Sequence, residues 1–174
     1  EQIMSPFSDE KKSKEGDDFD EQGATTLGRQ ARLQEGHYLH HFSINPKNIN
    51  DLVKLAGDDA KDLEEADIEK LKEALRKGVT YFDSAAKAGT DNEFLLWVKT
   101  NEASKIVLPN FTELIKVEKD GDEIVFDLSL VKNVLDNLSD QIESVEIHYI
   151  SQNIRIDNAP SNAKMFDINT GKSV

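Results

Sequence analysis

Between Asp9 and Gln22 the chain is almost wholly charged, so whatever core it folds around must be built without that stretch. Its composition reads as a mobile, solvated loop. Ahead of it stand Gln2-Ile3-Met4, which read as the end of a strand, and Pro6-Phe7. Because the chain opens on Glu1 inside that strand, we read it as a fragment of a longer fold, with an open sheet edge. The 174 residues suggest one domain, or one domain with an appendage. A chain of that size can bury roughly 70% of its unfolded surface, enough for a genuine core.

Behind the charged stretch, strand-like and helix-like patterns are intermixed, and the fold class expected is α+β. His37 to Ile44 reads as a strand, with Tyr38, His40, Phe42 and Ile44 on one face and His37, Leu39, His41 and Ser43 on the other, ended by Pro46. Ile49 to Leu55 reads as a short helix. A second helix runs from Leu63 to Lys77. Ala66, Ile68, Leu71, Ala74 and Leu75 form its apolar stripe, acids fill its first turn, and Gly78 stops it. Phe94 to Val98 is an unbroken apolar run, expected as a strand covered on both faces.

Further on, Lys105 to Leu108, Glu113 to Lys119 and Glu123 to Asp127 read as strands, the last two joined by an Asp120-Gly121 turn. Ser129 is expected to cap a helix lined by Leu130, Val131, Val134, Leu135 and Leu138. Ser144 to Ile150 alternates as a strand through Val145, Ile147 and Tyr149. Residues 151–174 look weakly structured, with one strand near Met165.

Composition narrows the function classes. There is no cysteine, which excludes disulfides and thiolate metal sites and fits a reducing cytoplasm. No apolar run approaches the roughly 18 residues of a membrane span, so no membrane partner is expected. A net charge of −13 taken alone argues against nucleic acid. The distribution argues otherwise. From Gly23 to Asn50, Arg29, Arg32 and Lys47 face only Glu35, and three of the four histidines lie there too. The acid is concentrated in 9–21, 58–73 and 118–146.

No catalytic constellation stands out. There is no glycine-rich phosphate loop, no HExxH and no convincing metal-ligand spacing, so neither cofactor nor metal is expected. His37, His40 and His41 form one cluster that a carboxylate could complete as a metal or water-activating site. The plainer reading is a packed His40 with two polar strand positions beside it. Arg29 and Arg32 stand near Gly28, with Thr25, Thr26 and Gln30 alongside. Such a segment offers guanidinium groups, hydroxyls and backbone N–H groups to phosphates, and glycine permits close approach. A surface strand with ordinary arginines is the competing reading. Ser84, Lys87 and Thr90, in a loop of small residues with Gly89, could likewise hold a phosphate or simply connect a helix to a strand.

Taken in order, these segments resemble the Cas-seven-type backbone subunit of Cascade, in the RAMP superfamily and in its type I-B, Csh-two-like branch. Ile3-Met4-Ser5-Pro6-Phe7 and the charged loop look like the strand leading into the family's thumb insertion. Thr25-Thr26-Leu27-Gly28-Arg29 looks like the segment returning from it. Gly36-His37-Tyr38-Leu39 with Phe42 to Pro46 looks like the following core strand. Leu71 to Val79, Ser84-Ala85-Ala86-Lys87-Ala88-Gly89 and Phe94 to Val98 look like the helix, the small-Lys-Gly loop and the closing strand. The match covers residues 1–150, and its specificity lies in order and spacing.

The resemblance implies the C-terminal part of a modified RRM or ferredoxin-like core with an inserted thumb loop and extra C-terminal strands and helix. The expected organisation is a strand end and thumb-like loop in 1–22, a partial palm core in 23–102 and an α+β extension in 103–174. The function implied is non-catalytic. The subunit would bind CRISPR RNA and form a filament of its own copies along the guide, with other Cascade subunits and with target DNA reached through guide pairing, in prokaryotic antiviral defence. Carried over by position, Thr26, Gly28, Arg29, Gln30 and Arg32 would lie near the RNA backbone, and Ser84, Lys87 and Gly89 in a palm loop. The family's N-terminal half is absent from this sequence. Two alternatives stand beside this reading. One is a metal-dependent ribonuclease of the same superfamily, using the histidines or Asp17, Asp18 and Asp20. The other is an unrelated α+β interaction module.

Overall fold

The computed structural model describes residues 2–4, 26–29, 35–57, 59–82 and 89–174. The charged stretch 9–22 therefore lies outside the described residues. Two units are distinguished, Glu1–Tyr38 and Leu39–Val174. In the first, β1 (Gln2–Met4) pairs antiparallel with β2 (Thr26–Arg29), with Gln2 opposite Arg29 and Met4 opposite Thr26 across a register shift. The chain on either side of residues 5–25 is thereby held side by side.

The second unit is α+β, as the intermixed patterns predict. Its described residues hold three helices, α1 (Pro46–Ala56), α2 (Glu65–Tyr81) and α3 (Ser129–Asn137). One sheet has the order β3 (Phe94–Thr100), β6 (Ile142–Tyr149), β8 (Ala163–Asp167); the other runs β4 (Lys116–Asp120), β5 (Glu123–Asp127), β7 (Ile154–Asp157). Each is mixed, with an antiparallel pair (β3/β6, β4/β5) and a parallel one (β6/β8, β5/β7).

The core lies between the two sheets and α3. Val145, Ile147 and Tyr149 of β6 pack with Ile124 and Phe126 of β5, Ile154 of β7, Val131 and Leu135 of α3, and Phe111 and Leu128. Phe94 stacks on Phe126 at 4.7 Å and so ties the first sheet to the second. On β3 the alternate residues Leu95 and Trp97 are buried on one face. Phe94, Leu96 and Val98 are half-buried on the other, which accounts for the unbroken apolar run. The β4–β5 turn is a hairpin with Asp120 opposite Glu123. Its Gly121 has φ +63°, the left-handed value required at the first central position of a type II′ turn.

Several expected elements differ. No strand forms over His37 to Ile44, nor over Lys105 to Leu108. The alternation nevertheless survives. Leu39 packs against the core while Phe42 sits on Trp97, 5.7 Å away on the opposite face of the sheet. Ile106 and Leu108 also pack inward while Val107 is exposed. Period-two patterning specifies which side each side chain takes, but a strand also needs a backbone partner. His40, expected to pack, is exposed. Pro46 starts α1 rather than only closing a strand: Asn45 caps that helix by accepting from the Lys47 N–H at 3.1 Å.

Ser129 is the first residue of α3 and not its cap. The Asp127 carboxylate accepts from its N–H (3.0 Å) and its hydroxyl (3.3 Å), leaving the fully buried Leu128 at the boundary. Of the residues expected to line α3, Leu130 is exposed. β4 begins at Lys116, since Phe111–Glu113 forms a short 3-10 turn capped by Asn110. The last residues are well structured. They supply β7 and β8, the fully buried Ile168, and a bridge from Ser173 to Phe166.

Candidate functional site

Of the residues expected near a polyanion, Thr26, Gly28 and Arg29 lie on β2, the strand that returns beside β1. Gln30 and Arg32 lie outside the described residues, as do Ser84 and Lys87. Gly89 is described, in a turn with φ +80°, a conformation that favours glycine.

Asn92, which follows the small-residue segment in sequence, bonds back to the end of α2. The Asn92 Nδ2 donates to the Leu75 carbonyl at 3.0 Å, and its Oδ1 accepts from the N–H of Val79 at 2.8 Å and of Thr80 at 3.3 Å. Leu75 and Val79 are the two residues an i to i+4 helix bond joins, so the side-chain amide bridges that turn. The Asn92 N–H donates in turn to the Thr80 hydroxyl at 3.1 Å. This arrangement explains why α2 continues past Gly78 to Tyr81: an amide from across the loop supports its last turn. It also joins Thr80 to Asn92.

His40 and His41 are exposed, and His37 lies 3.7 Å from Glu35. Among the described residues no group of three or more His, Asp or Glu side chains is arranged to hold a metal ion. Among them, too, no helix is long and apolar enough to cross a membrane.

A charged cluster that the sequence reading missed occupies the outer face of the first sheet. Trp97 and Glu146 are cross-strand partners, as are Leu95 and His148. Over them α2 places Lys72, its one buried residue. Lys72 Nζ donates to Glu146 Oε2 (3.1 Å) and Glu69 Oε1 (3.0 Å) and lies 5.2 Å from the Trp97 ring centroid. Glu146 Oε2 also meets His148 Nε2 at 3.2 Å, and the His148 ring stacks on Phe166 at 4.9 Å.

Burial pulls the Lys72 ammonium down, but hydrogen bonds to Glu69 and Glu146 outweigh it and hold the pKa above its ordinary value. Burial pushes Glu146 up, and the bonds from Lys72 and His148 bring it net below the usual range. Burial dominates at His148 and lowers it, with Glu146 opposing. His148 is therefore neutral at pH 7, donating from Nε2 to the carboxylate, while its buried Nδ1 has no hydrogen-bond partner among the described residues. This chemistry fastens a helix to a sheet. The signal was present in the alternation Ser144, Glu146, His148, the polar complement of Val145, Ile147, Tyr149.

The second sheet turns an acidic face outward. Arg155 is its hub, donating from Nε to Asp157 (3.1 Å), from Nη1 to Glu123 (2.8 Å) and from Nη2 to Asp120 (3.1 Å). With Glu118 and Asp127 beside them, these acids make this face unsuited to phosphate.

A family model described as CRISPR-associated protein Cas7 matches residues 1–150. No curated protein matches the chain.

Proposed function

This chain belongs to the CRISPR-associated Cas7 family, and from that premise we propose that it is a non-catalytic, CRISPR RNA-binding backbone subunit of a type I Cascade surveillance complex, of the type I-B, Csh-two-like branch. Copies of the chain would line the guide as a filament in the cytoplasm, with other Cascade subunits, and would reach target DNA through guide pairing. The observation that carries the reading is the β1–β2 pairing, with Gln2 opposite Arg29. It supports a strand pair that leads into and out of an insertion, with Thr26, Gly28 and Arg29 on the returning strand. Gln30 and Arg32 follow directly in sequence, and Ser84, Lys87 and Gly89 fall between α2 and Asn92 in sequence.

The charge distribution agrees with this assignment. The acidic hub of the second sheet faces away from the core and disfavours phosphate. The basic groups of 23–50 are left to contact RNA through phosphate and ribose, with little dependence on guide sequence. The test is charge reversal. Arg29→Glu with Arg32→Glu should strip guide RNA from the purified protein and prevent filament assembly. Unchanged RNA retention in that variant would count against the reading, and cleavage of RNA incubated with the protein and Mg²⁺ would replace it with the ribonuclease alternative.

A further inference from the structure

α2 is fastened to the first sheet by charge more than by apolar packing. Among the described residues, the hydrophobic core between the two sheets and α3 contains none from α2. The one residue that α2 buries is Lys72, while Ile68, Leu75 and Val79 are half-buried. One turn beyond Lys72, the Arg76 guanidinium lies across Gly171, its Nη1 2.9 Å from where a β-carbon would stand on that glycine. A helix held in this way can leave the sheet without opening the core.

His148 sits where these charges meet the sheet, with its side chain only 6% exposed. Its Nε2 donates to Glu146, its ring stacks on Phe166 of β8, and its buried Nδ1 has no hydrogen-bond partner among the described residues. Glu146 stands on the same strand. From α2 come Lys72, with Glu69 bound to it, and Arg76. From β8, Lys164 is the parallel partner of Glu146, and from β3, Lys99 pairs with Glu143 at 2.9 Å. The neutral ring suits this setting, because it gives Glu146 a donor and adds no charge opposite the cations. A second proton would create a cation opposed by Lys72 and Arg76 and a buried Nδ1–H without an acceptor. Glu146 offsets only part of that cost, since its carboxylate is shared with Lys72.

We propose that His148 is an acid-sensitive latch for α2: a proton on Nδ1 loosens the helix from the first sheet while the core stays folded. Burial keeps the docked ring from taking that proton, whereas water solvates the imidazolium once the helix has left. Protonation and undocking are thereby linked. Glu146 is held below the usual carboxylate range and stays ionised while the imidazole titrates, so the change originates at His148. The latch stands whether or not the chain binds RNA.

The test is amide exchange of the whole chain, expressed as protection factors at about pH 7.5 and about pH 5.5, either side of the ordinary imidazole value. An undocked helix of this length is marginal in water, so its amides exchange readily. Protection at Leu71 to Leu75 should fall about three- to tenfold at the lower pH, while β5 and β6 keep theirs. His148→Phe retains a ring to stack on Phe166 but no titrating nitrogen, and in it α2 protection should be equal at the two pH values. Replacing the exposed His40 and His41 with Gln should leave the fall intact. In the unaltered chain, the His148 ring signals followed by NMR should titrate over the same pH range as the loss of α2 protection, a readout that does not depend on any variant folding. Constant α2 protection in the parent overturns the latch. So does an equal loss in β5 and β6, which is global unfolding, or a fall that persists in His148→Phe.

Discussion

Lys72 Nζ stands 3.1 Å from Glu146 Oε2, joining the middle of α2 to a strand 74 residues further along the chain. Both side chains are largely covered, at 11% and 21% exposure. Attraction between such groups offsets the cost of removing them from water only while both are present. Lys72→Met should therefore destabilise the protein by about 2 kcal/mol, less than a fully buried pair would give, because Glu146 retains some solvent. Glu146→Gln should cost less, since His148 and Lys72 keep a polar partner. In the double variant the two effects should fall short of their sum by about 1 kcal/mol. Urea titration of the four proteins measures this, and strict additivity would show that the pair is not coupled.

The same cluster sets a pH dependence. His148 has its pKa lowered by burial, so between its folded and unfolded values the unfolded chain binds more protons. Stability contributed by neutral His148 is complete above about 6.5 and is lost as pH falls toward the folded value. Glu146 and Asp167 are also lowered, and Asp136 sits at about 2 through bonds from the Ser161 N–H, Lys132 and the Ser161 hydroxyl. Their contributions are lost at lower pH, as each carboxylate is forced to protonate. Melting temperature should hence fall in two stages on acidification, first below neutrality and again below about pH 4. His148→Phe should abolish the first stage.

How much of this was legible in the sequence depends on where the deciding contact lies. The hairpin at Asp120-Gly121, strand β5, helix α3 and strand β6 follow local patterns and stand close to where those patterns put them. β7 was missed because it is short and its partner β5 lies across a parallel, non-local pairing of Ile154 with Ile124. The buried Lys72 was missed because the stripe Ala66, Ile68, Leu71, Ala74, Leu75 was read on apolarity alone. The sheet beneath α2 offers a carboxylate, and the helix turns Lys72 toward it, leaving Ala66, Leu71 and Ala74 exposed. Of the candidate RNA contacts, only Thr26, Gly28, Arg29 and Gly89 fall within the described residues. Asn92 carried no motif, and its role depends on a helix end thirteen residues away.

Asn92 predicts a local effect. Asn92→Ala removes the bonds to Leu75, Val79 and Thr80, and should cost about 1–2 kcal/mol of stability. Amide exchange at Val79 and Thr80 should quicken more than in β5 or β6, because the loss is confined to the end of α2. Equal acceleration throughout would show that Asn92 supports the whole fold instead.

Leu128 is fully buried at the start of α3, between the sheet and the helix that Asp127 caps. Leu128→Ala should destabilise by about 3 kcal/mol, within the range for buried leucine truncation. Asp127→Ala should cost less than Leu128→Ala, through loss of the cap. Thermal unfolding distinguishes them, and the reverse ranking would contradict the packing described.

The most direct test is the binding of guide-length RNA to the chain as ionic strength is raised. We expect binding that weakens steeply with salt, is equal for guides of unrelated sequence, and leaves the RNA intact in Mg²⁺. Arg29→Glu with Arg32→Glu should flatten the salt dependence as well as weaken the affinity, because fewer counterions are then released. No binding at low salt, or a salt slope untouched by that variant, would contradict the account.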